Sequence, residues 1–495
     1  MSAEARPLHI TTTSTLGRGL AEDDPPYAPN VSSVEPPAQT EDSHVPPTHG
    51  RSRASLSSVF LRLSFLTGGI TALSLLTGPL QARALGPSGR GELAAIAVVG
   101  AFLPVIAGLG LEFFVARETA RGAPKGDLIG TVGLTTLLVG LLIAPLGFPI
   151  SALLAHGRHT VYIFILLQFL LLPLSLLGQG LYYMLVGLER WSYITAIRVI
   201  ASVGPVPVIV VLFVLHAMTV RAVAVATVLT SLLSLIPGLL AVRRVRGFRF
   251  RMPMLRVAIP FSLKTWLGTL AVLTNGRIDQ LLMIGLTSSR QLGLYAVAVT
   301  ATSLSNQIVS SLSSPLLARV AGGERHLVRR AVRVTLLLVM IVNACVAVVA
   351  PFLIPLLFGS SFSDSVPMML ILLVASLPLC VTLVLTPATV ADGNPAVPAI
   401  GEGMTLLITI PGLLLVLPSL GGTGAALVSL VAYGFDAVYQ LWRARANFGG
   451  AYHEYVIPRS ADVAWTRNRV ADVLTSARIG AVAKIALARG RGASS

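Results

Sequence analysis

Charge is scarce in this chain. Only 12% of its 495 residues are Asp, Glu, Lys or Arg, about half the fraction of an ordinary soluble domain. That excludes a water-facing globular surface. Cysteine is nearly absent. Cys345 and Cys380 both lie inside apolar runs, which excludes a disulfide framework and a thiolate metal site. The only close histidine pair, His156 and His159, sits in one short loop with no carboxylate or thiol around it, so it forms no metal-ligating set. A Gly-rich loop ending in Gly-Lys-Ser/Thr is missing, which excludes nucleotide hydrolysis of the P-loop type. The loops are too small to carry the paired acids of a membrane transferase. The reading is therefore non-enzymatic, with no catalytic residue, cofactor or metal.

Apolar residues are abundant, at 54%. They fall into runs at approximately 59–82, 92–115, 128–150, 161–186, 193–215, 220–241, 256–286, 292–317, 331–357, 366–390, 397–417 and 421–442. Most reach the ~20 residues a helix needs to cross the hydrocarbon. The expected fold is all-α and polytopic, with about twelve transmembrane helices. Pro173, Pro205, Pro260, Pro378 and Pro411 interrupt several runs; membrane helices tolerate such breaks, and a carrier can bend there.

The net charge of +16 does not point to nucleic acid, because the arginines sit in the short loops where membrane topology places them. Arg117, Arg121, Lys125, Arg190, the Arg243–Arg251 cluster, the 319–333 cluster, Arg443 and Arg445 fall on one side. Arg83, Arg90, Arg158, Arg221 and Arg290 are nearly all that the other side holds. The bias predicts a multi-pass protein of the plasma (inner) membrane with both termini in the cytoplasm. The Pro-, Ser- and Thr-rich residues 1–55 predict a disordered cytoplasmic tail without the basic-then-apolar start of a signal peptide. Residues 446–495 form a second cytoplasmic tail, whose Val, Leu and Ile positions alternate with basic residues over 461–489 as in an amphipathic helix on an anionic leaflet.

The chain also repeats itself. The segment starting Leu85-Gly-Pro-Ser-Gly-Arg aligns with the one starting Leu286-Thr-Ser-Ser-Arg-Gln, and Ala116-Arg117 with Ala318-Arg319. Two matches about 200 residues apart predict two six-helix lobes, 56–245 and 246–445, as parallel repeats around a central cavity.

Ionisable groups at membrane depth are costly and mark candidate sites. The seventh run carries Lys264, Asn275, Arg277 and Asp279. Lys264, Gly268, Ala271, Asn275 and Asp279 share one helix face, and Arg277 points away from it. Arg198 lies in the fifth run and Arg83 ends the first. A cavity lined by Arg277, Lys264, Arg198 and Arg83 would hold a phosphate or pyrophosphate by charge-assisted hydrogen bonds. Asp279, Asp436 and Glu402, with Glu112, are the acids able to bind a coupling ion or serve as structural partners; Glu112 and Glu402 are expected to pair with loop arginines.

Several stretches carry a resemblance in order: Ala82-Arg83-Ala84-Leu85-Gly86 through Gly91, Gly276-Arg277-Ile278-Asp279-Gln280, Leu292-Gly293-Leu294-Tyr295-Ala296, Leu357-Phe358-Gly359-Ser360-Ser361-Phe362, and Asp392-Gly393-Asn394-Pro395. Together they resemble the polysaccharide transporter family of the multidrug/oligosaccharidyl-lipid/polysaccharide flippase superfamily, over residues 59–442. The resemblance implies a V of two six-helix lobes and alternating access. It implies that a polyprenyl-linked glycan is flipped between leaflets for surface polysaccharide, with membrane lipid and other glycan-assembly membrane proteins as partners. Arg277 and Asp279 match the family's Arg-x-Asp, and Arg83 its first-span Ala-Arg. Two other readings stay open: a cation-coupled multidrug antiporter of the same superfamily, which would want an acidic, aromatic-lined cavity, and a non-transporting scaffold of a glycan assembly complex.

Overall fold

The computed structural model describes residues 56–300, 302, 309, 324–460, 462 and 463, with side chains from Thr77 onward. The tail 1–55 and nearly all of the basic stretch 461–489 lie outside them. The described residues form helices and no strand. Among the described residues eight helices are long and apolar enough to span a membrane, and His159–Leu170 with Leu172–Gly187, bent by 54°, make a ninth when counted as one span. Two helices are double: Leu56–Gly108 turns at Gly86 (φ 66°), and Ala396–Phe448 turns at Gly421 (φ 53°). Glycine alone enters that region without strain. Dividing both, and adding the helix that begins at residue 289, reproduces the order of the twelve apolar runs. The loop expected between 82 and 92 shrinks to one glycine.

Apolar side chains face outward as well as inward. Leu142, Phe352 and Leu415 are 79%, 77% and 79% exposed, which is costly in water and neutral against lipid tails. Inside, one apolar cluster runs through both sets of six spans, from Val98, Phe102 and Ile165 to Ile278, Leu373 and Leu413.

The two sets differ in continuity. In the first, Ile129–Gly133 is a π-turn and Ala144–Leu146 a 3-10 turn. Further breaks fall at Leu171, Gly204 and Ser234. Pro145, Pro173 and Pro205 sit at or just after three of these breaks, where each removes a backbone donor. In the second set Met252–Leu286, Leu327–Phe358 and Ser365–Ala391 run unbroken although they contain Pro260, Pro351, Pro355, Pro378 and Pro387. Proline thus coincides with three breaks in the first half, which also carries Pro79 and Pro104 inside continuous helix, and with none in those three helices of the second. In the second, close packing of Ser365–Ala391 along Ala396–Phe448 holds the helices in line.

The halves touch at both ends. At the end opposite the basic loops, Gly91 lies against the Ser289 carbonyl and Gly293 against the Pro87 carbonyl. Arg158 donates to Ser289 Oγ there. Toward the basic end, Trp266 Nε1 donates to the Val105 carbonyl at 2.7 Å, and Gly110 packs on the Ser262 carbonyl.

Candidate functional site

The breaks in the first six spans leave space between them. A cavity of about 670 Å³ runs along 90–104, 168–182 and 223–238, which at 1.5 Å per residue is a path of roughly 20 Å. Among the described residues that line it, only Arg90 is charged, and no Asp or Glu is present. Arg90 sits at one end. Its Nη1 reaches Gln81 Oε1 at 3.4 Å, while its buried Nε has no hydrogen-bond partner among the described residues. Gln168 spends its amide nitrogen on the Ile96 carbonyl, 2.9 Å away, and its buried Oε1 has no donor there; neither has Gln179 Oε1. Ser175 and Ser231 add hydroxyls, and Leu93, Leu103, Leu172 and Leu235 supply apolar wall. The site thus offers one cation and two amide acceptors inside an apolar sleeve. That chemistry suits an oxyanion joined to hydroxyl groups.

The four cations nominated from sequence are not gathered into one cluster. Arg198 stands beside the far end of this cavity. Its Nε donates to the Tyr182 hydroxyl at 3.0 Å, its guanidinium lies 5.9 Å from that ring, and Tyr182 lines the cavity. Arg83 is exposed and donates to the Leu356 carbonyl. Lys264 and Arg277 are exposed on Met252–Leu286 and line no described part of the cavity. The stripe expected along that helix changes surroundings with height: Lys264 and Gly268 are open, Asn275 is half-buried and Asp279 is buried.

The acids gather in the second half. Tyr295 donates to Asp279 Oδ2, and the Gln280 backbone N–H donates to Oδ1 at 2.7 Å. Asn275 donates to the Glu402 carboxylate and, at 3.2 Å, to its backbone carbonyl. Gln440 donates to both oxygens of Asp436 at 3.1 and 3.2 Å, and Gly401 leaves room for that carboxylate. Glu402 directly follows Gly401 and so stands next to the backbone against which the Asp436 carboxylate packs. The expected pairing of Glu402 with a loop arginine gives way to the Asn275 contact, because Glu402 turns inward toward Met252–Leu286. Glu112 is likewise buried, beside Gln179 across Gly108.

A family model described as "polysaccharide biosynthesis protein" matches residues 80–367. The chain belongs to that family. The matched stretch contains the whole cavity and Asp279, and it ends before Glu402 and Asp436. No curated protein sequence matches significantly. Among solved structures, the lipid II flippase MurJ in an inward closed conformation superposes with a TM-score of 0.65 at 14% identity, covering 78% of this chain and 89% of its own. An inward-facing multidrug resistance MATE transporter of the MOP superfamily gives 0.61 at 16%, covering 79% and 98%. An outward-facing one gives 0.53 at 15%, covering 80% and 96%. The chain has the fold of these polytopic transporters.

For this member of the family, sequence reasoning missed Arg90. It was read as an orientation charge in an outer loop, but residue 90 is helical and its guanidinium turns inward. A signal was present: Gln81, Gln168 and Gln179 are amides in or beside apolar runs, and such groups need partners at membrane depth.

Proposed function

We propose that this chain is a flippase that carries a lipid-linked oligosaccharide, held on a polyprenyl (pyro)phosphate, across the plasma membrane for cell-surface polysaccharide synthesis. One observation carries the reading: the membrane-embedded cavity ends on a guanidinium with no carboxylate lining the space. A guanidinium whose buried Nε lacks a partner is costly, and an anionic cargo offsets it. The volume lies within the ~300–1,000 Å³ usual for small-molecule sites, enough for a few sugar rings. Arg90 and the two glutamines meet the polar headgroup, Arg198 steadies Tyr182 at the other end, and the polyprenyl chain stays in lipid. Arg277, Lys264 and Arg83 act along the route between the halves.

Alternating access requires the two ends to part in turn. The glycine contacts at one end, and the packing of Gly110 on the Ser262 carbonyl toward the other, are contacts that such parting would break. Asp279, Glu402 and Asp436 form the coupling side, where a bound proton or metal cation would neutralise carboxylates held at membrane depth and so bias one conformation. The charge bias of the loops supports termini on the cytoplasmic side. A multidrug antiporter would need carboxylates in the cargo cavity; the lining residues argue against it.

The test is the lipid fraction of a deletion strain. Accumulated polyprenyl-linked glycan on the cytoplasmic side, cleared by the wild-type chain, is expected. Normal surface glycan with new drug sensitivity would overturn the reading in favour of multidrug export.

A further inference from the structure

At the basic end three connections of the first half meet. Residues 122–127, Leu188 with Arg190, and the 241–247 segment enclose a bowl of about 510 Å³. Lys125, Arg190, Arg244 and Arg246 line it, and the only carboxylate is Asp127. Asp127 is already neutralised by Arg251 Nε at 2.7 Å. Arg190 Nη1 donates to the Ala241 carbonyl at 3.1 Å, and none of the four lining cations forms an ion pair among the described residues. Four like charges around one concavity repel one another, and a phosphate relieves all of them.

The bowl is built rather than accidental. The linker that leads to Met252–Leu286 is strapped across the start of Lys125–Ala155. A β-carbon on Gly126 would come within 2.5 Å of the Gly247 carbonyl oxygen, and one on Gly130 within 2.7 Å of the Arg249 nitrogen. Thr131 Oγ1 donates to the Arg249 carbonyl at 3.3 Å and accepts from the Arg251 N–H at 3.0 Å. The segment packs on Gly126, Gly130 and Thr131 through its backbone. The side chains of Phe248 and Phe250 are left 60% and 48% exposed. The cations lie within a few residues of the ends of Lys125–Ala155, Trp191–Val214 and Val220–Val242, which is headgroup depth. Exposed aromatics beside cations at that depth suit lipid on both counts.

We infer that this bowl binds the phosphate of an anionic phospholipid in the leaflet at the basic end, and that the bound lipid braces the linker between the two halves. The inference rests on membrane embedding and does not depend on the cargo.

The test uses the purified full chain, delipidated and then equilibrated with vesicles of phosphatidylcholine alone or mixed with phosphatidylglycerol, with retained lipid read by native mass spectrometry. Wild type should retain phosphatidylglycerol over phosphatidylcholine. The preference should fall roughly five-fold for each cation removed in Arg244→Gln/Arg246→Gln and survive in Arg244→Lys/Arg246→Lys. Lys125→Gln, on another wall of the bowl, gives the same reading should the linker variant fail to fold. Phe248→Ser/Phe250→Ser should weaken retention as well. Equal retention by wild type and the glutamine variants would overturn the site. Ready displacement of the lipid by inorganic phosphate, with the phenylalanine variants unaffected, would overturn its assignment to lipid.

Discussion

Gly91 and Gly293 sit back to back across the two halves of the protein, each against a backbone carbonyl of the other half: Gly91 on Ser289 and Gly293 on Pro87. The contact is reciprocal. Pro87 and Ser289 are separated in the chain by the same interval as Gly91 and Gly293, and as Ala116 and Ala318. The two segments that resemble each other in sequence thus meet each other. With no β-carbon on either side, backbone approaches backbone, as small residues permit at membrane helix contacts.

Gly91→Val or Gly293→Val should hold this end apart while leaving each half folded. Overpacking costs about 1–3 kcal/mol, which shifts a balanced equilibrium by roughly five- to 150-fold. Cysteines placed at Ser88 and Arg290 should cross-link in wild type and lose that yield in the valine variants, together with glycan export. Unchanged cross-linking would contradict this.

Arg90→Met should abolish surface glycan in a complemented deletion strain with normal protein abundance. Arg90→Lys, which keeps the charge but loses the fork of donors, should restore part of it. Gln168→Leu should give an intermediate loss, since it removes one acceptor and leaves the cation. Full export by Arg90→Met would remove the cavity from the mechanism.

On the proposed coupling role, Glu402→Gln and Asp436→Asn should each uncouple export from the ion gradient, because each removes one of the carboxylates held at membrane depth by Asn275 and Gln440. Export into inverted vesicles, followed with and without proton and sodium gradients, is expected to lose its gradient response while basal exchange persists. Asp279→Asn should be milder, as an amide still accepts from Tyr295.

Near the end of the described chain, Arg333 Nε bonds Asp462 Oδ2 at 2.7 Å, and Arg333 also donates to the Glu454 carbonyl. Burial pushes the Asp462 carboxyl up, but the Arg333 hydrogen bond, the Arg459 backbone N–H and the charges of Arg333 and Arg330 outweigh it and hold it below the usual carboxylate range. A depressed folded value means the clasp contributes fully above the ordinary Asp range and is lost as pH falls through the folded value. Arg333→Met should lower the thermal midpoint at neutral pH by a few degrees, and the gap to wild type should close in acid. An equal gap at both pH values would deny the clasp its ionic character.

The positions of the spans were legible because hydropathy averaged over twenty residues is insensitive to a bend or a single glycine. For the same reason the bends themselves were not legible. Pro173 and Pro260 look alike in the sequence, yet one lies beside a break and the other inside an unbroken helix, and the packing around each decides. Asp279, Glu402 and Asp436 could each be singled out as intramembrane acids. That Glu402 would meet Asn275, and Asp436 pack against Gly401, depends on how Ala396–Phe448 folds back at Gly421, which no spacing reveals. Arg90 was hidden by its place at a span end, where a charge reads as topological.

The unequal continuity of the two halves has a mechanical consequence. The first half is jointed at Leu171, Gly204 and Ser234, whereas Met252–Leu286 and its neighbours are stiff rods. Compliance and leverage are thereby assigned to different partners. On the proposed function, a bulky or irregular glycan would meet jointed walls on one side and continuous helices on the other.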